Sequence, residues 1–344
     1  MKKKRNTRLM VTILALVVTV VLMGLLAANE KTNTKTASGD TDGFYIGLLQ
    51  YTSHPSLDAI TEGIVDTLAD SGYIEGETIQ LDFQNAHGDQ SNLNAMSSRF
   101  VSNEADLMIA IATPSALAVA NASSDIPIIL SAVTDPEHVG LIASNEAPGG
   151  NVTGVSDMTP IAQQLELIRE LQPNAKTIGL LYSSSEDNAV LQGEMAEELA
   201  SDYGFETVTR TVSSTNDVTQ VTQQLVAEVD AIWTPNDNII ASAFPSVIEI
   251  STESNVPVYP AVDMMLAQGG LGTLGLNQYQ IGVKTGEMVV ELLKGQIQTA
   301  TEPIRLADET DLVINFETAE LLGMEIPESL KSEAIDAKEL LEEE

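Results

Sequence analysis

Four threonines stand one or two residues ahead of a proline, in Thr113-Pro114, Thr134-Asp135-Pro136, Thr159-Pro160 and Thr234-Pro235. Threonine is a good helix N-cap, and proline suits the first helical position because its missing N–H would have no partner there. Singly, each pair reads as an ordinary helix start. Helix N-termini also offer free N–H groups and a positive dipole end, which suit a carboxylate. Thr113 and Ser115 would add hydroxyl donors to such a cradle. Three acids, Asp135, Asp237 and Asp263, fall in loops of the same kind. A carboxylate there can hold an ammonium group, although Asp135 and Asp237 would serve equally well as helix caps. Aromatic residues make up only 4% of the chain, yet Tyr51 and Trp233 both stand beside these loops. A flat, apolar group would use them as walls; for Trp233 a place in the core is the plainer reading.

The elements that must position these residues alternate along the chain. Short apolar runs at 45–50, 78–84, 107–112 and 126–132 read as buried parallel strands. Between them Leu57, Ile60, Ile64 and Leu68 recur at helical spacing, as do Leu93, Met96 and Phe100. The pattern restarts after Thr159, with strands expected at 177–182, 206–212, 230–233 and 256–259 and helices between them. Gly269-Gly270-Leu271-Gly272 then interrupts the rhythm, and a strand at 273–276 and a helix at 279–293 follow. Strands alternating with helices imply doubly wound parallel sheets, and two such series imply two similar lobes. Lobe 1 is expected at 44–157 plus about 278–305, and lobe 2 at 158–277 plus about 306–344. Ligands of such sheets bind beyond the carboxyl ends of the strands, where the Thr-Pro loops and acids lie.

Several chemistries are disfavoured. With no cysteine there is no disulfide, thiolate metal site or thiol nucleophile. His54, His87 and His138 lie far apart with no i,i+4 partner, and neither a nucleophile elbow nor a phosphate-binding loop is present. His54, before Pro55, reads as a surface or capping group that could also reach the cleft. Gly270-Leu-Gly272-Thr-Leu-Gly275 fits a dinucleotide fingerprint by spelling only, since it follows a helix and itself reads as a strand. No catalytic residue, metal or cofactor is therefore expected. The net charge of −34 makes a nucleic-acid partner improbable.

Five of the sixteen basic residues (Lys2, Lys3, Lys4, Arg5 and Arg8) occupy the first eight positions, and residues 9–28 carry no charge. A helix of that length, at about 1.5 Å per residue, spans roughly the 30 Å of a bilayer core. Two readings compete: a cleaved signal peptide, for which Leu26-Ala27-Ala28 supplies small residues, and an uncleaved anchor. The length favours the anchor, with the N-terminus in the cytoplasm and the rest outside. Residues 1–29 are thus expected as a transmembrane segment and 30–43, polar and rich in Thr and Ser, as a flexible linker.

From residue 44 to about 330 the chain resembles the substrate-binding subunits of ABC transporters in the tryptophan/tyrosine-type family. The resemblance rests on Ile46-Gly-Leu-Leu-Gln-Tyr51, His54-Pro-Ser-Leu-Asp58, Thr113-Pro-Ser-Ala116, Thr134-Asp-Pro136, Gln278-Tyr-Gln-Ile-Gly282 and Ile314-Asn-Phe316. The most specific segment is Pro148-Gly-Gly-Asn-Val-Thr-Gly-Val155. The family's lipidated cysteine is missing; Leu25-Leu26-Ala27-Ala28 is followed by Asn29. The resemblance implies a type 1 periplasmic binding protein fold, α/β, with two doubly wound parallel-sheet lobes and a ligand cleft between them. It implies capture of a small molecule, often an aromatic amino acid such as tryptophan, tyrosine or phenylalanine, by hinge closure, with no catalysis. Its partners would be an ABC permease with its ATPase and, through the N-terminal helix, the membrane. Carried over to this chain, the ligand contacts are Tyr51, Thr113, Ser115, Thr134, Asp135, Ser184, Asp237 and Asp263. In that scheme Thr113, Ser115 and Thr134 hold the carboxylate, Asp237 or Asp263 the ammonium, and Tyr51 packs on the side chain. A sensory protein signalling to a membrane receptor or kinase is the alternative; an exported α/β hydrolase fits less well.

Overall fold

A computed structural model of the chain describes residues 43–307 and 310–341. The expected membrane span and nearly all of the expected linker lie outside them. Among the described residues no helix is long and apolar enough to cross a membrane.

The first half opens with β1 (Phe44–Gln50), α1 (Pro55–Asp70), β2 (Ile79–Asn85), α2 (Gln90–Ser102), β3 (Leu107–Ile111), α3 (Thr113–Ala122), β4 (Ile128–Ser131) and β5 (Val152–Ser156). The second half continues with α4 (Ile161–Leu171), β6 (Thr177–Ser183), α5 (Asp187–Ala200), β7 (Glu206–Val212), α6 (Thr215–Leu225) and β8 (Ala231–Thr234). After these come α7 (Asn238–Ser242), α8 (Phe244–Glu253), β9 (Val258–Pro260) and β10 (Gly272–Leu276). The chain then runs through α9 (Gln278–Leu293), β11 (Arg305–Leu306), β12 (Thr310–Ile314), α10 (Phe316–Leu321), α11 (Glu328–Lys331) and β13 (Ile335–Asp336).

Three sheets result. A six-stranded parallel sheet has the order β11-β5-β4-β3-β1-β2, and a four-stranded parallel sheet the order β7-β6-β8-β9. A small third sheet, β10-β12-β13, contains an antiparallel pair, so the sheets are not all parallel as expected. The strand order reverses next to β1 and β3, the switch point at which ligands of such sheets bind. Apolar runs explain the strands: every residue of β3 and of β4 is buried. β5, spelled Val-Thr-Gly-Val-Ser, is equally buried but too polar to read as a strand in isolation. Gly154 in it has φ +157, and a Cβ there would run into the backbone of Leu130 on β4.

The halves have separate cores. One collects Ile46, Leu48, Ile60, Leu107, Ile129 and Val155, with Ile281, Met288 and Val289 of α9, which returns to the first sheet late in the chain. The other half packs helices on both faces of its sheet, with Ile168, Leu180, Trp233 and Tyr259 on one side and Leu181, Leu225, Ile232 and Phe244 on the other. Helices α1 and α9 cross tightly because Gly63 and Gly282 face each other; a Cβ at either would strike the carbonyl oxygen of Tyr279 or Ile60. The chain passes between the halves at 157–160, at Asn277 and between 307 and 310.

Candidate functional site

The loops beyond β1, β3, β4, β6 and β8 converge. A narrow cavity between the halves is lined by His54, Leu57, Thr113, Ala132, Asp157, Asn188, Asn236, Asp237, Asn238, Ala241, Val262 and Gln278. Its volume is about 30 Å³, room for a few waters, so a larger guest enters only as the halves part.

The first-sheet wall carries backbone strain. Ala112, which ends the β3 apolar run, has φ 73 and ψ 154, and Ala132 after β4 has φ 54. Alanine rarely adopts such angles, and each costs on the order of 1–3 kcal/mol unless the surroundings enforce it. The turn at Ala112 starts α3 directly at Thr113. Its hydroxyl and that of Ser115 are fully buried without a hydrogen-bond partner among the described residues. Two orphaned hydroxyls beside a helix N-terminus form a donor cradle suited to an anion.

Acids line the opposite side. Asp157, in the first crossing, accepts from Thr134 Oγ1 at 2.9 Å and from Asn236 Nδ2 at 2.9 Å, so it touches both halves. Burial pushes its carboxyl up to about 6, against the lowering by those two hydrogen bonds. Asp237 caps α7 through Ile240 N at 2.9 Å, while its second oxygen accepts from Ser183 N. Burial raises it as well, to about 6. Glu186, 1% exposed, accepts from the Ile239 amide at 3.1 Å and from the Asn238 side chain. Burial first, and the neighbouring Asp237 second, push it up to about 8. The negative charge of each carboxylate disfavours ionisation of the other.

Of the residues singled out in the sequence, Thr113 and Asp237 line the cavity and Ser115 lies in the same turn as Thr113. Thr134 acts through Asp157. Tyr51 is buried but does not line the cavity; its hydroxyl donates to Gly88 O at 3.4 Å. Burial, then Glu186 and Asp237, push that phenol up to about 12. Asp263 faces a wider hollow of about 430 Å³ with Glu62, Asp66 and Tyr279; Gln278 lines both spaces. Burial lifts the Asp263 carboxyl to about 7. Asp135 and Ser184 line neither: Asp135 accepts from His138 N at 3.0 Å, and exposed Ser184 bonds to Val212 O. No helix follows Thr134-Asp135-Pro136, and α7 starts three residues after Pro235 with Asp237 rather than Thr234 as its cap. Trp233 is core, with its Nε1 donating to Gln164 at 3.1 Å.

Asp157, Glu186 and Asn188 escaped sequence reasoning. For Asp157 the usable signal was position, since it follows β5 as Asp237 follows β8. Glu186 precedes α5 but leaves that helix uncapped and reaches to α7 instead, a pairing across 52 residues that no local pattern shows.

Comparison with known proteins agrees with this geometry. A tyrosine-binding protein of Clostridioides difficile (strain R20291) is 38% identical over 297 residues, covering 86% of this chain and 84% of that protein. The structure of an ABC domain in complex with L-Trp from Streptococcus pneumonia superposes with a TM-score of 0.83 at 45% identity, covering 86% of this chain and 99% of that one. A ligand-free, open substrate binding protein with adhesive properties from Clostridium difficile gives 0.67 at 39% identity, covering 85% and 98%. The family model for ABC transporter substrate binding proteins matches residues 45–338. With its parallel sheets and cleft-facing strand ends, the chain belongs to that family and has the type 1 periplasmic binding protein fold.

Proposed function

We propose that this substrate-binding protein captures a free aromatic amino acid outside the membrane and delivers it to an ABC permease driven by its ATPase. The observation that carries the reading is a zwitterion's worth of complementary groups in one cavity. The orphaned hydroxyl of Thr113 at the α3 N-terminus, with that of Ser115 in the same turn, suits a carboxylate, and Asp157 suits an ammonium group. Asp237 adds negative potential, but its donors are backbone N–H groups of one half, whereas those of Asp157 are side chains from both halves, which makes Asp157 the first choice for the ammonium. Tyr51 and Leu57 supply apolar surface at the β1 end. Relatives described as tyrosine-binding and as an L-Trp complex point to the same ligand class.

The lobes in this reading are 44–157 with about 278–305, and 158–277 with about 306–344, hinged at the three crossings. Asp157 bonds to Thr134 on one side and Asn236 on the other, so a ligand held there gains contacts from both lobes only on closure and shifts the equilibrium that way. The higher structural similarity to the L-Trp complex than to the ligand-free open relative supports a closed arrangement here. The apolar segment 9–28 would tether the protein to the outer face of the membrane. A thermal-shift screen of the full chain against the twenty amino acids and a set of sugars tests the reading, since a ligand of the native state raises Tm by mass action. Tryptophan, tyrosine or phenylalanine should give the largest shift; a clear shift with leucine or a sugar, and none with these three, would end it.

A further inference from the structure

His54 is the cavity residue that the zwitterion scheme leaves without a task. It is 9% exposed, occupies the N-cap position of α1 without capping it, and lines the cavity. Its Nε2 lies 3.1 Å from Asn238 Oδ1 on the other half, and its Nδ1 has no partner among the described residues. Asn238 points its Nδ2 at Glu186, which leaves its Oδ1 toward the imidazole. An amide oxygen only accepts, so Nε2 must carry the proton. Nδ1 of the neutral ring is then a buried, unpartnered lone pair on a cavity-lining residue, able to accept and unable to donate.

Its place along the sheet says which part of a guest it meets. The carboxyl ends run Asp157 after β5, Ala132 after β4, Thr113 after β3, then the Tyr51–His54 loop after β1. Strands lie about 4.8 Å apart, so roughly 14 Å separates β5 from β1. A zwitterion whose head groups engage Asp157 and Thr113 extends its side chain toward the β1 loop, where His54 stands beside Leu57. Resting on the amino-acid reading above, we propose that His54 Nδ1 accepts a hydrogen bond from an N–H or O–H on the ligand's ring, so that the site selects ring-donor amino acids, tyrosine and tryptophan, over phenylalanine. Asn238 is the positioning residue that sets the tautomer. A site built around a buried acceptor rejects a ligand lacking the donor because the acceptor is then left dry and unpaired.

Calorimetric titration of the full chain in mild detergent tests this with two matched pairs: L-tyrosine against L-phenylalanine, and L-tryptophan against β-(3-benzothienyl)-L-alanine, in which sulfur replaces the indole N–H. The wild type is expected to favour the donor-bearing member of at least one pair by about tenfold or more. His54→Leu should bring that ratio within about threefold by weakening the donor-bearing ligand more than phenylalanine. His54→Asn, whose Oδ1 falls close to the place of Nδ1, should keep most of the preference. Unfolding curves accompany each variant, and if His54→Leu fails to fold, the wild-type ratios and the Asn variant decide. Wild-type ratios under threefold in both pairs, or a preference that survives in His54→Leu, would overturn the proposal while leaving aromatic capture standing. No binding of any aromatic amino acid would instead strike the functional reading itself.

Discussion

Asp157→Asn should separate ligand binding from folding more cleanly than any other change in the cavity. The substitution removes one charge and almost no volume. Asn236 Nδ2 can keep its bonds to the remaining side-chain oxygen and to the main-chain carbonyl of residue 157, and the Thr134 hydroxyl can accept from the new Nδ2. In the free protein the carboxylate is a burden: lifting it from 3.8 to about 6 corresponds, at about 1.4 kcal/mol per unit, to an ionisation cost on the order of 2–3 kcal/mol near neutral pH. The variant should therefore unfold at the same Tm as the wild type or higher. In the complex the charge is the partner of a desolvated ammonium. Removing it should cost roughly 2–5 kcal/mol, or about 30-fold to several thousand-fold in Kd. Calorimetric titration with the best ligand from the thermal screen, beside unfolding curves at the same pH, reads both quantities. Binding within about threefold of wild type would refute the assignment. So would a binding loss that merely tracks a lowered Tm, because the charge would then be serving the fold. Asp157→Ala should lower both affinity and Tm, since it strands the Thr134 hydroxyl and leaves Asn236 only its bond to the main-chain carbonyl.

Other expectations follow from the same geometry. The Asp157, Asp237, Asp263 and Glu186 carboxyls all sit above their ordinary values, so the folded chain holds more protons than the unfolded one between about pH 4 and pH 8, and stability should fall as pH rises through that window. Melting curves from about pH 5.5 to 8.5 check the sign, and Glu186→Gln should flatten the upper part; a Tm that climbs with pH would contradict the burial of these acids. Asp237→Ala should lose about 1 kcal/mol or more of stability, because it uncaps α7 and frees Ser183 N, a loss that urea unfolding measures. Ala112→Gly relieves a backbone held at φ 73 and should raise unfolding stability by about 1 kcal/mol, unless the extra freedom of glycine in the unfolded chain offsets it. Fractionation of cells making the whole chain should find it in the membrane; a secreted form starting near Asn29 would replace the anchor with a cleaved leader.

The fold was largely legible because its signals are local. Continuous apolar runs gave β1, β3, β4 and β6 to within a residue or two, and three- and four-residue spacing gave α1 and α2. What failed was structure made by distant partners. β5 is held by pairing with β4 and β11, and the two-residue strands β11 and β13 exist only as additions to other strands. Their own sequences carry too little apolar character to announce a strand, and the antiparallel turn of β10 against β12 has no spelling at all.

The site divides along the same line, and the division explains which acids were misjudged. Strand-end position pointed to Thr113 and Asp237, which line the cavity, because where a strand stops is a local property. What a carboxylate does there depends on which donors reach it, and those come from elsewhere in the chain. Asp237 read equally as an ammonium partner and as a helix cap, and backbone amides from α7 and from Ser183 at the end of β6 occupy both its oxygens. Asp157 looked like an unremarkable residue in a crossing, yet its donors are side chains of the two halves, Thr134 and Asn236. Backbone amides move only with their helix, so the Asp237 contacts are the same whether the cleft is open or shut. Of Asp157's contacts, the Thr134 bond stays within the first half, and the Asn236 bond crosses to the second. An acid bound to one half can hold a ligand, but only one bound by both can make the ligand's presence felt at the hinge. That distinction rests on contacts 23 and 79 residues away in sequence, and no pattern of residue types along the chain encodes it.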